Sequence, residues 1–233
     1  MLAMETDVLA ARVAEVRERI ERARERSGRA AAVTLVAVTK THPPEVVQAA
    51  IAAGVADVGE NRVQEMEEKV AVVGRQAVRW HLIGHLQRKK AAKVLALADL
   101  VHSLDSLRLG EALSAAAVKA GTTVRALAQV NVSGEETKGG FEGHEAVDAV
   151  ARLVELPGIE VVGMMTMAPF TSDLHRIRRT FSAARTLSEE VARQVPGYRD
   201  EHLSMGMSND FEIAVEEGAT LVRVGSSIFG ERG

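Results

Sequence analysis

Short runs of β-branched and aliphatic residues alternate along this chain with longer stretches whose apolar positions recur every three or four residues. The first period marks buried strands and the second amphipathic helices. The opening stretch, from about Glu5 to Arg26, carries Val8, Leu9, Val13, Val16 and Ile20 at helical spacing, and Ser27-Gly28 stops it. Residues 33–39 read as a strand, and Pro44 opens a helix reaching Gly54. The alternation then repeats. Strands are expected at 56–59, 78–83, 100–104, 124–132, 161–166, 202–205 and 221–224. Between them the spacing predicts helices at 63–73, 87–98 and 144–155. Three more helices are expected to start at the caps Asp105-Ser106, Thr171-Ser172 and Asn209.

Regular strand–helix alternation implies an α/β fold with parallel pairing through right-handed crossovers. Eight such units in 233 residues fit a closed (β/α)8 TIM barrel, a fold of about 250 residues. An open doubly wound sheet is the competing architecture, but the Gly-rich turn that marks it after the first strand is absent. No linker or change of composition divides the chain, so residues 1–233 are expected to form one domain. The stretch after Val224 is short for an eighth outer helix. The N-terminal helix is therefore expected to cover the seam between last and first strands.

Barrels of this kind place their chemistry at the C-terminal ends of the strands. There the sequence puts Lys40, Asn61, His85, Asp105, Asn131 with Ser133, Met167, Ser208, and lastly Arg223 with Gly225 and Ser226. Lys40 sits between an apolar run and Pro43-Pro44. It is either a surface residue on a loop or a desolvated amine nucleophile, suited to forming a Schiff base with a carbonyl compound. Ser208 and Asn209 pass from strand to helix start, where they either cap the helix or bind phosphate. Gly225-Ser226-Ser227 supplies a second turn of small residues, and barrels often hold phosphate at the last two strand exits. Arg223 shares its parity with Gly225, so it is expected to face the barrel mouth. It meets there a phosphate, a heteroaromatic nitrogen or a structural salt bridge. Lysine, cradle and barrel together narrow the ligand to a phosphorylated carbonyl compound.

Five stretches then carry a resemblance: Ala37-Val38-Thr39-Lys40, Gly59-Glu60-Asn61, the segment from His81 to Gln87, Ser204-Met205-Gly206-Met207-Ser208, and the segment from Val222 to Gly230. In this order the chain resembles the pyridoxal phosphate homeostasis proteins, one-domain relatives of the alanine racemase N-terminal barrel (the type III pyridoxal phosphate fold). The resemblance implies pyridoxal 5'-phosphate as cofactor, with Lys40 holding it as a Schiff base. It implies that Ser208, Gly225 and Ser226 bind the phosphate, that Met207 belongs to the cofactor site, that Arg223 faces the pyridine nitrogen, and that Asn61 and His85 lie near the ring. It further implies a role in buffering or delivering the cofactor to apo-enzymes, which affects amino-acid and keto-acid balance.

An arginine opposite the ring nitrogen cannot accept a proton from it, so the ring is a weaker electron sink than one facing a carboxylate. The related racemases take a catalytic tyrosine from a second domain. This chain has one tyrosine, Tyr198, on a Pro-Gly loop. A non-enzymatic role is therefore expected, with an amino-acid racemase or a Schiff-base aldolase as the alternative.

Composition changes this picture little but excludes much. Aromatic residues make up only 3%, so the core must be aliphatic, as strands covered on both faces require. A net charge of -3 gives no general attraction to nucleic acid or anionic membranes. The absence of cysteine removes disulfides and thiolate chemistry. With no membrane-length apolar run and no secretory leader, a cytoplasmic monomer is expected. His81 and His85 lack the pattern of a zinc helix, and no metal site is expected. The basic clusters Arg88-Lys89-Lys90-Lys93 and His175-Arg176-Arg178-Arg179 read as solvated faces. The loop 133–143 is either a plain connection or a lid, with Lys138 as a second anchoring point during transfer.

Overall fold

A computed structural model describes residues 2–135 and 139–230. Its strands are β1 (Thr34–Val38), β2 (Asp57–Glu60), β3 (Arg79–Leu82), β4 (Leu100–Leu104), β5 (Val124–Asn131), β6 (Phe141–Glu142), β7 (Ile159–Met165), β8 (His202–Met207) and β9 (Leu221–Val224). All pairings are parallel, and β1-β2-β3-β4-β5-β7-β8-β9 closes on itself through the β9–β1 contact. This is the expected eight-stranded barrel. The additional β6 is a two-residue strand that extends the upper end of β5, pairing Val130 with Phe141. Two residues inside a polar loop carry no readable period, so the sequence gives no sign of it.

Helices α2 (Pro44–Ala52), α3 (Val63–Val73), α4 (Ala91–Leu95), α5 (Leu107–Ala120), α6 (Ala146–Val154), α7 (Leu174–Gln194), α8 (Phe211–Glu216) and the single turn α9 (Ser226–Phe229) fill the outer ring. The N-terminal helix α1 (Leu2–Ser27) packs against α2, α8 and α9. It therefore covers the seam between β9 and β1, burying Leu9, Val13, Val16, Ile20 and Ala23.

Three element ends differ from expectation. The basic helix at 87–98 is a 3-10 turn at Arg88–Lys90 followed by the short α4. Three cations at a helix start oppose the dipole, and Gln87 provides no side-chain cap. The cap of α7 is Asp173, whose carboxylate accepts from His175 and Arg176 N–H, rather than Thr171-Ser172. Asp210, not Asn209, precedes α8.

Alternation along the strands separates two apolar layers. Leu35, Ala37, Val222 and Val224 belong to the large core between sheet and helices. Val36, Leu100, Leu127, Val162, Met165 and Leu221 form a small separate cluster inside the barrel. The rest of the lumen is polar: Asp57, His81, His102, Ser204 and Arg223 are all buried there.

Candidate functional site

β1 ends at Val38, and the chain turns at once, His42 N–H donating to the Thr39 carbonyl at 3.1 Å. Lys40 and Thr41 form the middle of that turn. Thr41 has φ 67°, in the left-handed region, a conformation costing a β-branched residue roughly 1–3 kcal/mol. Glu65 on α3 accepts the Thr41 N–H at 2.9 Å and holds the turn in place.

A buried ion pair lies beneath. Lys69 Nζ donates to Glu60 Oε1 at 2.6 Å and to the Thr39 carbonyl at 2.7 Å, while the Thr39 hydroxyl donates to the same Glu60 oxygen. Glu60 is 0% exposed and Lys69 3%. Burial pushes the Glu60 carboxyl above its usual range, and the bonds from Lys69 and Thr39 only partly restore it. The residue before Lys40 is thus fixed by side chains from β2 and α3.

Lys40 faces a cavity of about 1010 Å³ at the C-terminal ends of the strands. Asn61, His85, Met207, Ser208, Arg223, Gly225 and Ser226 line the same cavity. Asn61 is held by a close approach: a Cβ on Gly84 would lie 2.3 Å from the Asn61 carbonyl, so glycine alone fits between the β2 and β3 exits. His85 is mostly exposed at the rim, its Nδ1 3.0 Å from Asp105 Oδ2. Of the other strand exits, Asp105 and Met167 also line the cavity, whereas Asn131 and Ser133 do not. Buried Asn131 instead donates to the Glu135 carbonyl and to Glu142, organising its own loop. Lys138 lies outside the described residues, although Gln129 pins Gly139 nearby with a 2.7 Å bond.

Ser208 is not a helix cap. The Asp210 carboxylate takes the Met207 N–H at 2.6 Å, and Ser208 Oγ reaches across to accept the N–H groups of Gly225 at 3.2 Å and Ser227 at 3.4 Å. An oxygen therefore already sits where two backbone donors converge. A Cβ on Gly225 would press on the Val38 carbonyl at 3.3 Å, and Gly206 (φ 91°) lets α8 lie directly against β8.

Arg223 is 4% exposed. Its Nη1 donates to Ser204 Oγ at 2.6 Å and its Nη2 to the Thr166 carbonyl at 3.1 Å. Burial lowers it to about 10, so it stays charged at neutral pH. Ser204 also contacts His102 Nδ1 at 2.8 Å, His102 Nε2 contacts His81 Nδ1 at 2.9 Å, and His81 Nε2 contacts Asp57 Oδ1 at 3.0 Å. Arg79 closes the chain with two 2.6 Å bonds to Asp57. The sequence reading weighed His81 only as a metal ligand. It missed Asp57 and His102 and gave Ser204, a member of a matching stretch, no role, although polar residues at inward parity were the available signal.

Tyr198 lies outside the cavity lining, its hydroxyl 2.6 Å from Ser188 Oγ on α7. Burial pushes this phenol upward. Among the described residues no cluster of metal ligands is present, and no helix is long and apolar enough to cross a membrane.

His102 makes stability acid-sensitive. Burial above all, then the neighbouring His81 imidazole, the Arg223 guanidinium and His202, hold its pKa well below 6.5. The unfolded chain therefore binds a proton that the folded chain resists. This contribution is fully present above the unfolded value of about 6.5 and is lost as pH falls below it, at about 1.4 kcal/mol per pH unit. Denaturant melts between neutral and mildly acid pH check this, and His102→Gln is expected to reduce the slope.

A closed parallel barrel with a lysine at the first strand exit and a two-turn oxygen cradle at the last two defines an alanine racemase-type barrel. The family model "Alanine racemase, N-terminal domain" matches residues 12–233. Within that class, the chain belongs to the pyridoxal phosphate homeostasis protein family. The pyridoxal phosphate homeostasis protein of Aquifex aeolicus is 40% identical, over 95% of this chain and 97% of that one. PipY of Synechococcus elongatus, solved with pyridoxal phosphate bound, superposes with TM-score 0.84 at 35% identity, covering 95% of this chain and all of PipY. Alanine racemase from Corynebacterium glutamicum shares the fold alone, with TM-score 0.73 at 18% identity over 97% of this chain and 61% of the racemase.

Proposed function

We propose that this chain binds pyridoxal 5'-phosphate through Lys40 and acts in intracellular cofactor homeostasis, as a cytoplasmic, monomeric, single-domain protein spanning residues 1–233. The observation that carries the reading is the convergence of Lys40, Arg223 and the Ser208–Gly225 corner on one cavity. The donor set suits the group. Backbone N–H groups, Ser208 and Ser226 match a phosphate, Lys40 an aldehyde, and the Arg223 guanidinium an aromatic nitrogen lone pair. When bound, the cofactor supplies an aldehyde carbon that a neutral primary amine captures covalently, with release of one water.

The protein's own residues hold rather than turn over. The Thr39–His42 turn aims Lys40, while Asn61 and His85 flank the cavity and Met207 borders its rim. Arg223, charged and bonded to Ser204 and Thr166, cannot accept a proton, so a ring nitrogen held against it would stay unprotonated. With Tyr198 buried away from the cavity, the described residues supply no tyrosine acid/base opposite Lys40. These features, with relatives named for homeostasis, support buffering or delivery to apo-enzymes over catalysis.

The test is to titrate purified protein with pyridoxal phosphate, reduce with borohydride and map the modified peptide, then offer the loaded protein to an apo-enzyme. A visible band, modification at Lys40 and reactivation of the acceptor are expected. Modification elsewhere sinks the assignment. Amino-acid racemisation at roughly 1 per second or faster overturns the non-enzymatic reading, as does aldol cleavage without a band.

A further inference from the structure

The lumen chain has a direction. Deprotonated Asp57 accepts only, so His81 Nε2 carries a hydrogen. In a neutral His81, Nδ1 is then bare and accepts, so His102 Nε2 carries the hydrogen between the rings. A neutral His102 leaves its Nδ1 bare, and the Ser204 hydroxyl donates to it. Arg223 donates only, and Ser204 Oγ receives that bond at 2.6 Å. Every contact is satisfied once, in the single order Arg223 to Ser204 to His102 to His81 to Asp57. A guanidinium sits at one end and a carboxylate at the other.

From this geometry we infer that Asp57, His81, His102 and Ser204 are positioning residues for Arg223, setting the direction in which its guanidinium is presented to the cavity. The inference rests on the cofactor reading above, because the cavity is where Arg223 acts. Among the described residues nothing else in the lumen requires four buried polar side chains in series. Other inward positions are apolar: Leu100 and Leu221 on two of the same strands, and Val36, Leu127 and Val162 on β1, β5 and β7. Polar groups in a barrel interior are costly unless each is bonded. Here they run from the N-terminal ends of β2 and β3, where Arg79 is largely exposed, to the cavity floor at Arg223. A second proton on His81 would reverse the two bonds beyond it. His102 Nδ1–H and Arg223 would then both donate to Ser204, and its hydroxyl hydrogen would leave the chain.

Two measurements test this. Nitrogen-15 spectra of the histidine rings in cofactor-free protein, taken at a pH where both rings are neutral, are expected to show His81 and His102 as Nε2–H tautomers. An Nδ1–H form of either ring overturns the direction. Ser204→Ala removes the joint between Arg223 and His102 and adds no bulk. It is expected to weaken pyridoxal phosphate binding about tenfold and to shift the visible band of the bound cofactor, with capture by Lys40 retained. A Ser204→Ala protein with wild-type affinity and band position overturns the positioning role. A wild-type protein that shows the assigned tautomers but binds no pyridoxal phosphate overturns the cofactor reading instead.

Discussion

Lys40→Ala is expected to abolish covalent capture of pyridoxal phosphate, and with it the visible band. Affinity should fall by roughly two orders of magnitude or more, about 3 kcal/mol. What remains is the noncovalent contribution of the Ser208–Gly225 corner and of Arg223. Lys40 is only half-buried. The fold should survive, with melting within about 1 kcal/mol of wild type. Lys40→Arg keeps the charge and lacks a nucleophilic amine, so it should fail equally. Equilibrium dialysis with spectra of both variants decides the matter: a full-strength band in Lys40→Ala would place the anchor on another lysine.

The second large effect lies beneath the site. Lys69→Met fills similar volume but leaves the Glu60 carboxylate without its cation in a 0% exposed position. Among the described residues Glu60 Oε2 already has no hydrogen-bond partner, which leaves the carboxylate with the neutral Thr39 hydroxyl at Oε1 and no cation. Breaking one half of a buried ion pair costs about 3–5 kcal/mol, and loss of the Lys69 bond to the Thr39 carbonyl also loosens the turn carrying Lys40. Glu60 is held above its usual range by burial even in the wild type. Removing the ammonium raises it further, so its protonated form is favoured in the folded state. The stability it contributes is present below the unfolded value of about 4.3 and is lost as pH rises through the folded one. The gap between Lys69→Met and wild type should therefore narrow as pH falls, and Glu60→Gln in the Lys69→Met background should recover part of the loss. Denaturant melts of the three proteins across pH read both effects; a gap that is constant with pH would show that Glu60 is not the group responsible.

Much of the fold is legible in the chain because its physics is local. An aliphatic run of five to eight residues followed by an amphipathic stretch has few ways to bury itself. Eight repeats with short connections leave a parallel barrel, and spare apolar positions on α1 must cover what α9 is too short to cover. Lys40, Arg223 and the Gly225-Ser226 turn were readable for the same reason, since strand parity and strand ends fix where they point. The capping residues of α7 and α8 were less readable. Ser, Thr, Asn and Asp compete for the same role within two or three positions, and only the backbone path makes Asp173 the cap of α7 and sets Asp210, which makes no side-chain cap, before α8.

The sequence by itself determined most of the residues that arrive at the mouth of the barrel, Asn131 and Ser133 excepted, because periodicity and strand direction act over a few residues. What those residues meet was decided only by closure of the sheet. That closure brings Ser208 onto Gly225, Lys69 under Thr39, and His81 and His102 into line with Ser204, across separations of 17, 30 and 102 positions. Such bonds depend on distances between strands that no local pattern encodes. The support beneath Lys40 and behind Arg223 is therefore a property of the folded barrel.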